Sequence, residues 1–238
     1  MEEAKVTANV KILRYNPEKD KKPHWEKYEV EVAPDVTILD VLNEIHWKLD
    51  GTLAYRRSCR SAICGSCAMK INGQNLLACE TPLFRFKGNK VKIEPLPGLR
   101  IIKDLVVDWD DFFAKLDRIK PYLIVDKSIP DKEFLQTPEV FEAIREAATC
   151  ILCAACTSSC PSLWGNEDYL GPAALLKAYR FIFDTRDDGG DERIDIINDR
   201  NGIWRCHTIF NCMEACPKDI KITEYLSRLK VKATENSI

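Results

Sequence analysis

The stretch Cys150-Ile151-Leu152-Cys153-Ala154-Ala155-Cys156-Thr157-Ser158-Ser159-Cys160-Pro161 decides how this chain is read. Its spacing, C-x2-C-x2-C-x3-C-P, sets three thiolates around one iron–sulfur cluster and sends the fourth to a second cluster. A zinc ribbon or a disulfide scaffold has no reason to crowd four cysteines into 11 residues and close with proline. Electron transfer is the chemistry this implies, and the other seven of the 11 cysteines test it.

Cys59, Cys64 and Cys67 give C-x4-C-x2-C, and Cys79 follows. That is the plant-type arrangement for a [2Fe–2S] centre, with a shorter gap to the fourth ligand than usual. The residues between are mostly small (Ser61, Ala62, Gly65, Ser66), so the backbone can wrap the inorganic core and aim N–H groups at its sulfurs. Zinc held by the same four thiolates is the alternative. The last group is Cys206, Cys212 and Cys216-Pro217. A second complete run would place a cysteine at 209, where the chain has Ile209. If Cys216 crosses over to Cys150, Cys153 and Cys156, that site has four thiolates and suits [4Fe–4S]. Cys160 then joins Cys206 and Cys212, three thiolates suited to [3Fe–4S], with an aliphatic side chain where the fourth belongs. A [4Fe–4S] cluster taking His207 as its fourth ligand is the other reading. Either way the three sets use all 11 cysteines.

The remaining composition is ordinary. The chain has 238 residues, 45% hydrophobic and 30% charged, with a formal net charge of −2. That leaves room for two modest domains and offers no basic footprint for nucleic acid. Cluster-binding thiolates need a reducing compartment, so a cytoplasmic setting is expected. Met1 to Val6 has no apolar signal core, and the apolar stretch Ala173 to Phe183 is interrupted by Lys177 and Arg180. Any membrane role therefore runs through partners.

Val6, Ala8, Val10 and Ile12, and then Tyr28, Val30 and Val32, alternate with polar residues and predict two strands. Thr37 with Asp40 predicts a capping box for a helix ending before Gly51. Asn72-Gly73 predicts a hairpin turn, and Val91 to Glu94 a last strand closed by Pro95 and Pro97. Beyond about residue 105 the pattern becomes helical: Trp109 to Lys120, Thr137 into Cys150, Gly171 to Phe183, and about Thr223 to Lys232. Asp187 to Glu192 reads as a solvated turn. His24 and His46 read as surface residues, and the tryptophans other than Trp164 as core or interface residues.

The motifs together resemble the iron–sulfur subunits of succinate dehydrogenase and fumarate reductase. Besides the cysteines, they are Arg14-Tyr15-Asn16-Pro17, Ser58-Cys59-Arg60, Asp104-Leu105-Val106-Val107-Asp108, Lys120-Pro121-Tyr122, Gly171-Pro172-Ala173 and Arg205-Cys206-His207. The resemblance implies an α+β chain: a β-grasp plant-type [2Fe–2S] ferredoxin domain over 1–105, then an all-helical bacterial-type ferredoxin domain over 106–238. It implies an enzyme subunit without catalytic residues of its own, relaying electrons from the FAD of a flavoprotein subunit through [2Fe–2S], [4Fe–4S] and [3Fe–4S] to a quinone. The quinone sits at one or two helical membrane anchor subunits, on the cytoplasmic face of the inner membrane. Reverse flow in a quinol:fumarate reductase shares every motif; a heterodisulfide-type reductase is a further alternative that Ile209 argues against.

At the quinone end the chain departs from the family. Many members carry two adjacent tryptophans, the second bonding the quinone; here Trp164 is followed by Gly165. Trp164 either supplies the N–H donor or only packs. His207 either delivers protons or hydrogen-bonds the cluster, and Pro161, Ser162 and Ile209 are expected to line the same area. Arg56, Arg57 and Arg60 either tune the first cluster, contact the flavoprotein, or form a solvated basic face.

Overall fold

A computed structural model describes residues 5–235. Backbone contacts divide the chain into two compact units: Met1–Trp109 with Ile151–Ser158, and Asp110–Cys150 with Ser159–Ile238.

The first unit opens with strands β1 (Val6–Arg14) and β2 (His24–Val32) and helix α1 (Ile38–Lys48). Strands β3 (Ala68–Ile71), β4 (Gln74–Leu77) and β5 (Lys90–Glu94) follow, then the small pair β6 (Ile101–Lys103) and β7 (Val106–Val107). Five strands form one sheet in the order β2-β1-β5-β3-β4. The β1–β5 pair is parallel and the other neighbours are antiparallel. Alternation buries Ala8, Val10, Ile12, Val30 and Val32, and α1 contributes Ile38, Leu39, Val41, Leu42 and Ile45 to the same core. The capping box forms as expected: Asp40 N–H donates to Thr37 Oγ1 (3.2 Å), and Thr37 N–H donates to Asp40 Oδ2 (3.0 Å). Such a cap is worth about 1 kcal/mol. Asn72 and Gly73 turn the hairpin with φ of 46° and 88°, the left-handed pair a two-residue turn requires.

Val91 to Glu94 is not the last strand. The β6–β7 pair follows, turned at Asp104 in a left-handed conformation (φ 47°). What fixes this turn is Arg14, 7% exposed, whose Nε donates to Asp104 Oδ1 (3.0 Å). The same carboxylate accepts from Tyr15 N–H (2.9 Å) and Ala54 N–H (2.8 Å). Glu26, Tyr28, Asp50 and Thr52 surround the rest of the guanidinium. Two motifs 90 residues apart are thus one buried ion-pair network, and it holds the chain that enters the first cysteine loop.

The helices continue with α2 (Asp110–Arg118), α3 (Pro138–Ala148), α4 (Ala155–Ser158), α5 (Pro161–Trp164), α6 (Gly171–Ile182), α7 (Gly190–Ile197), α8 (Asn211–Glu214) and α9 (Ile222–Glu235). Of these, α4 belongs to the first unit, where Asn75 Nδ2 donates to Ala155 O (3.0 Å). In the second unit α6 is the hub, with α2, α3, α7 and α9 packed against it. Thr137 caps α3 through Val140 N–H as the sequence predicts, but the helix stops at Ala148, short of Cys150.

Asp187 to Glu192 is a solvated turn only in part: Asp188, Asp191 and Glu192 are exposed, but Asp187 is not. Asp187 and Arg193 are fully buried side chains paired at 2.6 Å. Arg193 also donates to the carbonyls of Lys120 and Tyr122, which explains Lys120-Pro121-Tyr122. The charge run hid the start of α7. Of the tryptophans expected in the core or at an interface, none is fully buried: Trp47 is 60% and Trp204 43% exposed, and Trp25 and Trp109 are half-buried. His46 is half-buried rather than on the surface, its Nδ1 3.1 Å from Leu53 O. Among the described residues no helix is long and apolar enough to cross a membrane.

Candidate metal centres

All 11 cysteines are free thiols. The first set lies wholly within the first unit. Cys67 precedes β3 and Cys79 follows β4, and the bond from Ala78 N–H to Cys67 O (3.1 Å) closes the hairpin between them. Cys59 and Cys64 sit on the loop before β3, whose backbone turns left-handed at Arg60 (57°), Ala62 (57°) and Gly65 (71°). Those reversals aim successive N–H groups inward. Cys59 Sγ accepts from Ser61 (3.4 Å), Ile63 (3.4 Å) and Cys64 (3.2 Å), and Cys79 Sγ from Ala62 (3.4 Å). The N–H groups of Ser61, Cys64 and Ile63 lower the Cys59 thiol to about 6. Burial, with the adjacent Cys79 thiol, pushes Cys67 up to about 12. A loop that offers four N–H donors to two sulfurs is built for negative charge, so the residues fit a thiolate-held cluster.

Arg56 Nη1 donates to Val107 O (2.7 Å), and Arg57 lies over the Trp47 ring (5.4 Å), so both are occupied locally. Arg60 stays exposed on the loop itself.

The loop also touches the second run of cysteines. A Cβ built on Gly65 would lie 2.7 Å from Cys153 Cβ and 2.9 Å from Cys153 Cα. Only glycine admits that approach. Cys153 and Cys156 are each 7% exposed, beside left-handed Leu152 (55°) and Ala154 (59°). In the second unit, Cys150 follows α3 and Cys216 follows α8. Burial raises the Cys216 thiol against the N–H groups of Ile220 and Lys218, and the charge of Cys150 adds to the rise. Lys177, read from the sequence only as a break in an apolar stretch, is half-buried and donates to Cys150 O (3.3 Å).

The third set lies wholly in the second unit, where Cys160, Cys206 and Cys212 line one cavity. Pro161, Ser162, His207 and Ile209 line it too, and Trp164 does not. Trp164 stands at the end of α5, 56% exposed, and Ile209 (46%) and Phe210 (51%) are exposed as well. Thr208 (56°) and Phe210 (71°), on either side of Ile209, are left-handed. Burial raises the Cys212 thiol, opposed by Thr223 Oγ1 at 3.6 Å and reinforced by charge on Cys206 and Cys160. Tyr169, which the sequence reading passed over, is 1% exposed in the same cavity. Burial, and then charge on Cys206, Cys160 and Cys212, holds its phenol far above the usual range. Among the described residues no three His, Cys, Asp or Glu side chains are gathered around one metal ion.

Residues 9–114 match the 2Fe-2S iron-sulfur cluster binding domain and residues 142–217 the 4Fe-4S dicluster domain. The succinate dehydrogenase iron-sulfur subunit of Coxiella burnetii is 41% identical over 232 residues, 95% of this chain and 97% of the relative. This chain belongs to the succinate dehydrogenase/fumarate reductase iron–sulfur subunit family. The family spans both directions of flow: the Haemophilus influenzae fumarate reductase iron-sulfur subunit is 40% identical, covering 97% of this chain and 94% of the relative. The Paracoccus denitrificans succinate dehydrogenase subunit is 43% identical, covering 92% and 85%. A chain of the Mycobacterium smegmatis Sdh1 complex in the apo form superposes with a TM-score of 0.90 at 26% identity, covering 98% of both chains. The family subunit is an electron-transfer component of an oxidoreductase, with a [2Fe–2S] domain followed by a [4Fe–4S] dicluster domain.

Proposed function

We propose that this family member carries electrons between the FAD of a flavoprotein subunit and a membrane quinone. In this reading Cys59, Cys64, Cys67 and Cys79 hold [2Fe–2S], Cys150, Cys153, Cys156 and Cys216 hold [4Fe–4S], and Cys160, Cys206 and Cys212 hold [3Fe–4S]. Bound, such clusters pass one electron at a time, where flavin chemistry moves two. The protein's own part is to hold, screen and orient. Backbone N–H groups at Cys59 and Cys79 compensate thiolate charge, and Gly65 keeps Cys153 against the first loop. Buried Tyr169 and Thr223 supply hydroxyls beside the last thiols.

The sheet order β2-β1-β5-β3-β4 over one helix supports the β-grasp plant-type reading of 1–105. The packing of helices on α6 supports a helical bacterial-type domain over 106–238, with 151–158 returning to the strand unit. The quinone reading assigns Pro161, Ser162, His207 and Ile209 to its approach and Trp164 to its rim. One or two helical membrane anchor subunits complete the site, at the cytoplasmic face of the inner membrane.

The observation that carries the reading is the cavity where three thiols meet Ile209. An Ile209→Cys variant tests it. The added thiolate admits a fourth iron, lowers the potential of the last cluster and slows quinone reduction. An oxidised three-iron EPR signal unchanged in the variant would sink the ligand assignment. Direction follows from succinate and fumarate turnover by the assembled complex; a strong bias to fumarate would assign the subunit to the reductase.

A further inference from the structure

Among the side chains that line the cavity of the last thiol set, Tyr169 brings a buried hydroxyl. Tyr169 is 1% exposed, so water does not compete for its hydroxyl. Its backbone is fixed on both sides: Tyr169 N–H donates to Asn166 O (3.2 Å), and Leu170 N–H to Asn201 O (2.9 Å). Helix α6 begins at once with Gly171 (φ 85°) and Pro172, leaving the ring little freedom. Tyr169 lines the same cavity as Cys160, Cys206 and Cys212, and Cys206 is the one side chain there that, through hydrogen bonding, helps hold its phenol above the usual range. The Cys206 carbonyl is held by Lys230, whose Nζ donates to it (2.7 Å).

We infer that Tyr169 is a positioning residue for the last cluster, donating a hydrogen bond to the Cys206 thiolate that raises the cluster's reduction potential. This rests on the three-iron reading above. A donor to a ligand sulfur stabilises the more negative, reduced state, and hydrogen bonds to sulfur are among the terms that set cluster potential. The hydroxyl is the only group lost in Tyr169→Phe, so the packing of the ring against α6 is kept.

The test is an EPR-monitored redox titration of the assembled holo-complex, parent beside Tyr169→Phe. At a fixed ambient potential near the midpoint, the reduced:oxidised ratio of the last cluster is expected to fall about tenfold, a shift of about 59 mV to more negative potential for a one-electron couple. The [2Fe–2S] midpoint in the same samples stays unchanged. A three-iron signal with an unmoved midpoint overturns the role of Tyr169 and leaves the cluster assignment standing. A parent complex with no oxidised three-iron signal overturns the assignment itself. If Tyr169→Phe fails to assemble, 3-fluorotyrosine placed at 169, a stronger donor, must move the midpoint upward; no movement there also overturns the inference.

Discussion

Replacing Gly65 by alanine adds one methyl group at the point where the first cysteine loop meets the second run. That Cβ would stand 2.7 Å from Cys153 Cβ, 2.9 Å from Cys153 Cα and 3.2 Å from Cys153 N. Ordinary carbon contacts lie at about 3.5–4.0 Å, so the two backbones must part by roughly 1 Å. The neighbour is main chain, which cannot swing aside. A left-handed φ of 71° adds a second cost, about 1–2 kcal/mol for a residue with a Cβ. Overpacking adds about 1–3 kcal/mol. The sum, about 2–5 kcal/mol, lowers the thermal midpoint by about 4–20 °C in a chain of this size. Gly73→Ala is the internal control: its φ is 88° but nothing lies within 4 Å of the new Cβ. Only the conformational cost applies there, about 1–2 kcal/mol. Thermal unfolding and iron content of the two holoproteins separate the contact from the conformation. Equal losses in both variants, or none at 65, would refute the claim that the first loop is seated on Cys153.

Two further outcomes follow from the buried charges. Asp104→Asn removes the most buried of the three carboxylates paired with Arg14, whose side chain is 8% exposed against 1% for Asp104. Breaking such a buried pair costs about 3–5 kcal/mol, read by urea unfolding; a loss under 1 kcal/mol would mean the network is dispensable. Burial alone would raise Asp184, but the Arg186 side chain and backbone N–H outweigh it, with Arg180 adding, so its carboxyl lies below its ordinary value. A depressed folded pKa gives stability that is complete above the unfolded value of about 3.9 and fades as pH falls through the folded one. Asp184→Asn is therefore expected to cost about 1.5–3 kcal/mol at neutral pH. The gap to the parent midpoint stays constant down to about pH 4 and narrows below it; a gap unchanged at pH 3 would contradict the assignment.

The strands, the capped helix and the Asn72-Gly73 hairpin were legible because each is written in local residues: period-two alternation, a capping pair, a turn dipeptide. Cysteine spacing was equally local, and the three cysteines it groups, Cys160, Cys206 and Cys212, line one cavity. What was illegible depends on distant partners. Nothing near Asp187 announces that Arg193 and the Lys120 and Tyr122 carbonyls will bury it, so a charge run looked solvated. The Arg14–Asp104 pair was visible as two motifs but not as one network. Tyr169 gave no signal, since an isolated tyrosine before a helix has the composition of any core residue. The same limit hid the return of residues 151–158 to the strand unit, where Asn75 and Pro97 receive them.

The most direct test of the relay is Mössbauer and EPR spectroscopy of the air-oxidised holoprotein, with iron counted per chain. Three different clusters should be present, totalling about nine irons, the last of them paramagnetic when oxidised and lacking one corner. Two complete four-iron cubes beside the two-iron centre, with no oxidised three-iron species, would contradict the account at its centre.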